Sequence, residues 1–105
     1  MELATEKLVE KKIIDWSKDI CPIYKIYYNG ARFGLQFEVY IFYETDKELQ
    51  TNIASGKTEL TKTEFLRILQ ELNCSHEISS GVCFEFDSHE NVVKNYEGNY
   101  FLKLR

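Results

Sequence analysis

Four residues with metal-binding side chains fall in one stretch of the chain, Cys74, His76, Cys83 and His89, and thiolate with imidazole is the ligand set zinc prefers. Their intervals are one, six and five residues, whereas zinc modules present ligands in close pairs on turns. Cys83 also lies between Val82 and Phe84 in an alternating apolar run, which places it on a strand. The spacing therefore favours packing or surface roles over a metal centre, and no cofactor is expected. Each histidine precedes a glutamate, His76 with Glu77 and His89 with Glu90, and such a pair could supply a general base and a general acid. Hydrolysis would also need a nucleophile and positive charge at its transition state, and neither accompanies them. The triplet Gly56, Lys57, Thr58 ends like a phosphate-binding loop, but that motif needs a glycine where the chain has Thr51. It reads as a turn. Cys21 follows a helix, and the negative end of a helix raises a thiol pKa instead of activating the sulfur. The chain reads as a non-enzyme.

What remains is a surface. Thirteen basic against seventeen acidic residues give a net charge of −4, which repels phosphate backbones, so no nucleic-acid partner is expected. A chain of 105 residues with 44% hydrophobic and 29% charged content is one globular domain, 1–105. The longest apolar run, Val39 to Tyr43, is far too short to cross a bilayer. The opening stretch lacks the apolar core of a signal peptide. An odd set of three cysteines argues against a disulfide framework, so a cytoplasmic protein without membrane contact is expected.

Leu8, Val9, Ile13, Trp16 and Ile20 recur at helical spacing and predict an amphipathic helix from Thr5 to about Ile20, with Trp16 in the core and Pro22 beyond the stop. Ile23 to Tyr28 is β-branched and aromatic and runs into Asn29 and Gly30, a hairpin signal. Phe33, Leu35, Phe37, Val39, Ile41 and Tyr43 then alternate with Arg32, Gly34, Gln36, Glu38, Tyr40 and Phe42, the period of a long strand. Past a polar turn at Glu44 to Lys47, the alternation of Leu49, Thr51 and Ile53 predicts a third strand. Thr61 and Glu64 form a capping-box pattern, with Leu60 and Phe65 as a hydrophobic staple, and predict a helix to about Leu72 stopped by Asn73. Val82, Phe84, Phe86 and then Tyr100, Leu102, Leu104 predict two closing strands. Ser88 to Asn99 fits a helical turn or an extended hairpin equally. The expected fold is α+β, a mostly antiparallel five-stranded sheet with two helices on one face, in the order α-β-β-β-α-β-β.

In that sheet Glu38, Glu48 and Glu85 point away from the helices together with Tyr40 and Phe42. Acidic residues concentrate in two segments, Glu38, Glu44, Asp46 and Glu48 against Lys47, and Glu85, Asp87, Glu90 and Glu97 against Lys94. Tyrosine is enriched at protein interfaces, and carboxylates steer a basic partner into encounter. The expected partner-binding residues are Glu38, Tyr40, Phe42, Glu44, Asp46, Glu48, Glu85, Asp87 and Glu90.

The stretch VYIFYETDKELQTNIASGKTELTKTEFLRILQEL, Val39 to Leu72, resembles the strand, strand, helix core of small immunity proteins of bacterial polymorphic toxin systems. The nearest group is the TriTu-type immunity family, related in role to contact-dependent growth inhibition immunity proteins. The resemblance implies a cytoplasmic protein that binds one cognate toxin domain and neutralises it by occlusion. The acidic surface suits a toxin with a basic domain, such as a nuclease, and the free chain is expected to be a monomer. A small histidine-dependent hydrolase, and an adaptor or phage-encoded interaction domain, are the alternatives from other classes.

Overall fold

A computed structural model describes residues 3–29, 37–74, 78 and 81–104. Helix α1 (Leu3–Ser17) leads to strands β1 (Lys25–Asn29) and β2 (Phe37–Tyr43), then helices α2 (Asp46–Ala54) and α3 (Lys57–Glu71). Strand β3 (Val82–Ser88) follows, and helices α4 (His89–Asn95) and α5 (Tyr100–Lys103) close the chain. The described strands form one three-stranded sheet in the order β1-β2-β3, with β1 antiparallel and β3 parallel to β2.

This is an α+β domain, but it corrects the expected five-stranded, mostly antiparallel sheet in three places. Leu49 to Ile53 is helical, within α2. Thr45 caps it through the Glu48 N–H, which donates to Thr45 Oγ1 at 3.1 Å, and Asp46 and Glu48 place negative charge at the positive end of the helix dipole. Leu49 and Asn52 face inward while Ile53 is half exposed to solvent. Tyr100 to Lys103 is a helical turn, not a strand. Finally, β3 runs parallel to β2, because α2 and α3 lie between them and provide the crossover that a parallel pair requires. The segment Val39 to Leu72 is therefore strand, helix, helix, which replaces the strand, strand, helix core on which the resemblance was drawn. Ser88 to Asn99 holds α4, and its cap is Ser88, whose Oγ accepts from the Asn91 N–H at 3.0 Å. Removing the α2 cap with Thr45→Ala should cost about 1 kcal/mol, read by chemical denaturation.

The main core lies between the sheet and the pair α1 and α3. Val9 and Ile13 of α1, Phe65, Ile68 and Leu69 of α3, and Phe37, Val39, Ile41 and Tyr43 of β2 are all buried there, with Trp16 packed against them. The alternation of β2 therefore has the expected inward set; Phe33 and Leu35 lie outside the described residues. Helix α1 stops at Ser17, short of Ile20. The Ser17 hydroxyl donates to the Ile14 carbonyl at 2.7 Å and accepts from the Ile23 N–H at 3.1 Å, turning the chain toward β1. Helix α3 begins four residues before Thr61, behind Gly56 in a left-handed conformation (φ 79°). Thr61 is thus interior and fully buried, its hydroxyl donating to the Lys57 carbonyl at 2.8 Å, and Leu60 is exposed, so neither the capping box nor the staple forms. Asn73 does stop α3, with φ 59°. The Asn73 and Cys74 N–H groups return to the Gln70 and Leu69 carbonyls at 3.1 and 2.9 Å, the paired bonds of a Schellman ending.

Candidate functional site

The sheet has a second face, and its rows follow from the register. Across β1, β2 and β3 they read Lys25, Phe42, Asp87; then Tyr27, Tyr40, Glu85; then Asn29, Glu38, Cys83. The first row is covered at Phe42, while Lys25 stays exposed. Phe42 is 1% exposed and packs with Val92 of α4 and Tyr100 of α5 in a second core cluster flanked by Tyr27, Tyr40, Tyr96 and Leu104. Phe42 meets Tyr100 edge-on, with ring centroids 4.8 Å apart. The expectation that Phe42 faces a partner is thereby corrected: the even-numbered set of β2 is open only at its other end.

There, Glu38, Val39, Tyr40, Cys83 and Glu85 line a shallow recess. The Tyr40 hydroxyl donates to Glu38 Oε2, which fixes ring and carboxylate together. Glu85 and Cys83 are exposed. Asp87 shares the face but is drawn inward, accepting from the Asn91 side-chain amide at 3.0 Å. Lys103 of α5 reaches back across the face to Glu85 at 3.3 Å and Asp87 at 3.4 Å. Burial lowers the lysine pKa, but the two carboxylates together outweigh it and hold the ammonium above its ordinary value.

The remaining expected contacts lie elsewhere. Asp46, Glu48 and Glu90 belong to a clasp between the N-termini of α2 and α4. Glu90 accepts from the Asp46 N–H at 2.8 Å, and this backbone bond, with Lys94 at 3.2 Å, lowers its pKa. Asp46 accepts from the Ser88 hydroxyl, and Glu48 is held by Thr45. The Glu44 carbonyl accepts from the Glu90 N–H at 3.1 Å, while its side chain is exposed. These acids satisfy helix ends, so the nine expected residues divide: Glu38, Tyr40 and Glu85 stand together on the open face, Asp87 at its border, and the others form the clasp or the core.

Sequence reasoning overlooked Tyr27, which stands beside Tyr40 and was legible from the alternation Lys25, Ile26, Tyr27, Tyr28. It also overlooked Lys103, hidden in a segment read as a strand.

The candidates for metal and acid–base chemistry separate as well. Cys74 is buried and Cys83 is exposed on the open face. His89 Nδ1 is 2.6 Å from the Tyr100 hydroxyl, and its ring stacks on Tyr24 with centroids 4.5 Å apart. His76 lies outside the described residues. Among the described residues no three histidine, cysteine or carboxylate side chains gather as a metal site would require, and no helix is long and apolar enough to cross a membrane. Cys21 is buried with its sulfur 3.5 Å from Thr61 Oγ1, a packing position.

Burial raises the Tyr100 hydroxyl from 10.0 to about 12. For Tyr100 and Lys103 alike the folded pKa lies above the unfolded one, so their stabilisation is complete below the ordinary values and is lost as pH rises through the raised ones. Helix α5 should stay docked at neutral pH and release between pH 10 and about 12. Near-UV circular dichroism followed beside tyrosinate absorbance would show this, and Tyr100→Phe should delay the release.

No protein-family model, curated protein or solved structure matches this chain.

Proposed function

We propose that the chain is a non-enzymatic binding protein of the immunity kind, which neutralises a toxin by covering a basic surface with the open face of its sheet. The observation that supports this reading is the grouping of Glu38, Tyr40 and Glu85 on one uncovered patch of a rigid sheet. A phenol held by a carboxylate offers contact area at little entropic cost, and the flanking acids provide steering. The net charge of −4 extends that field beyond the patch. The two acids differ in role. Glu38 is tied to Tyr40 and shapes the recess, whereas Glu85 shares Lys103 with Asp87 and can exchange that cation for one from a partner.

The test is co-expression with the protein encoded beside its gene, followed by association kinetics on the purified pair. The expected result is rescue of growth and a one-to-one complex with a Kd on the order of nanomolar, whose on-rate falls steeply with ionic strength. Rescue with a salt-independent on-rate would overturn the acidic face as the docking surface.

A further inference from the structure

Among the described residues the sheet ends at β3, and the phase of its ladder fixes the direction of the backbone groups on that edge. Phe37 is paired with Val82, and the Phe37 N–H donates to the Gly81 carbonyl at 3.1 Å. In a parallel ladder a residue that bonds its partner strand does so with both its N–H and its C=O, and its neighbours point the other way. On β3, then, Cys83, Glu85 and Asp87 turn their backbone groups toward β2, while Val82, Phe84 and Phe86 turn theirs outward. Ser88 fits the same phase, since its N–H is taken by the adjacent Asp87 carboxylate at 2.8 Å instead of by β2. Among the described residues nothing hydrogen-bonds the outward groups of Phe84 and Phe86. An edge strand in this state is a template for another strand.

The charges on the edge choose the occupant. An added strand would set alternate side chains beside Cys83, Glu85 and Asp87 on the open face, and the rest beside Val82, Phe84 and Phe86, which are half-buried. Among the described residues Glu85 and Asp87 share one ammonium there, Lys103, which leaves a carboxylate in excess along the edge. A second copy fits in fewer registers. Antiparallel self-pairing centred on Glu85 or Phe86 would oppose Glu85 to Glu85 or to Asp87, like charges that destabilise a ladder, whereas centring on Phe84 sets Glu85 opposite Cys83 and avoids this. The outer edge of β1 carries Lys25 on the same face and suits a cationic strand less.

We propose that the partner docks by adding a strand to the outer edge of β3, and that this strand alternates basic and apolar residues. The inference rests on the reading of the chain as a binder of a basic protein and specifies how that binding is made.

The probe is a blocked peptide of alternating lysine and valine, seven residues long, titrated into the isotope-labelled full chain. The expected result is about tenfold slower amide exchange at Phe84 and Phe86, unchanged exchange at Ile26 and Tyr28, and loss of the effect when alternate peptide amides are methylated. Perturbation at Glu38, Tyr40 and Glu85 without protection at Phe84 and Phe86 would overturn strand addition while leaving the open face as the docking surface. No response at any of these residues would overturn both. Protection at β1, an equal response to a glutamate and valine peptide, or protection that grows with chain concentration alone would each overturn the assignment of a basic strand to β3.

Discussion

Phe42→Ala is expected to destabilise the fold by about 3–5 kcal/mol, the usual cost of emptying a fully buried phenylalanine site. Phe42 is 1% exposed, and its ring contacts Tyr100 at 4.8 Å and Tyr27 at 6.1 Å, both edge-on. Loss of the ring removes its transfer energy and the aromatic contacts, and leaves a cavity under α5. Because α5 is a single turn of four residues, it can partly collapse into that space, so a value toward the lower bound is expected. Tyr40→Ala, one alternate position along the same strand and half-buried, should cost much less, about 1 kcal/mol. Equilibrium denaturation of the two variants separates a second core from an open face; equal and small losses would mean that α4 and α5 do not seal the sheet.

Reversing two carboxylates of the open face, half-buried Glu38 and exposed Glu85, as Glu38→Lys with Glu85→Lys, should weaken association with a basic partner by on the order of 100-fold, mostly through the on-rate. Each reversal changes the charge by two, which takes the net charge from −4 to zero. Whole-molecule charge must therefore be separated from local charge. Asp15→Lys with Glu59→Lys makes the same change on α1 and α3, where both side chains are exposed and paired with a lysine three residues on, Lys18 and Lys62. That control should lose only a few fold. Stability should shift little in the control, whose exposed ion pairs contribute at most about 1 kcal/mol. The open-face variant also loses the bond from the Tyr40 hydroxyl to Glu38 and should be less stable by about 1 kcal/mol more, while Lys103 keeps Asp87 as a partner at 3.4 Å.

The parts of the fold legible in the sequence were those where one periodicity stood alone. Val9 and Ile13 define the buried stripe of α1, and Phe37, Val39, Ile41 and Tyr43 define the inward face of β2. The short segments failed because they satisfy two periods together. Leu49 and Ile53, and Tyr100 and Leu104, alternate as strand residues and also stand four apart as helical ones, an ambiguity that runs of five residues cannot resolve. Capping chemistry was the missing arbiter. Thr45 with Glu48 and Thr61 with Glu64 carry the same capping-box pattern, and only the first starts a helix. Reading Leu49 to Ile53 as a strand had a second consequence, since it removed one of the two helices between β2 and β3 and left antiparallel pairing as the natural choice.

The site divides for a related reason. Acid clustering in the sequence has two physical sources, exposed faces and helix N-termini, and Asp46, Glu48 and Glu90 belong to the second. Glu38, Tyr40 and Glu85 share one face because sheet alternation alone places them. Phe42 obeys the same alternation but meets Val92 of α4 and Tyr100 of α5, which cover that end of the face.

Cys83 offers the most direct measurement. It is exposed beside Glu38 on the open face, while Cys21 and Cys74 are buried, so a thiol reagent applied to the native full chain reads this face alone. If the open face docks on the partner, alkylation of Cys83 should slow by about tenfold or more in the complex, as expected for a group enclosed in an interface core, and the alkylated chain should bind weakly. An unchanged alkylation rate in a saturated complex would contradict the assignment of this face as the binding surface.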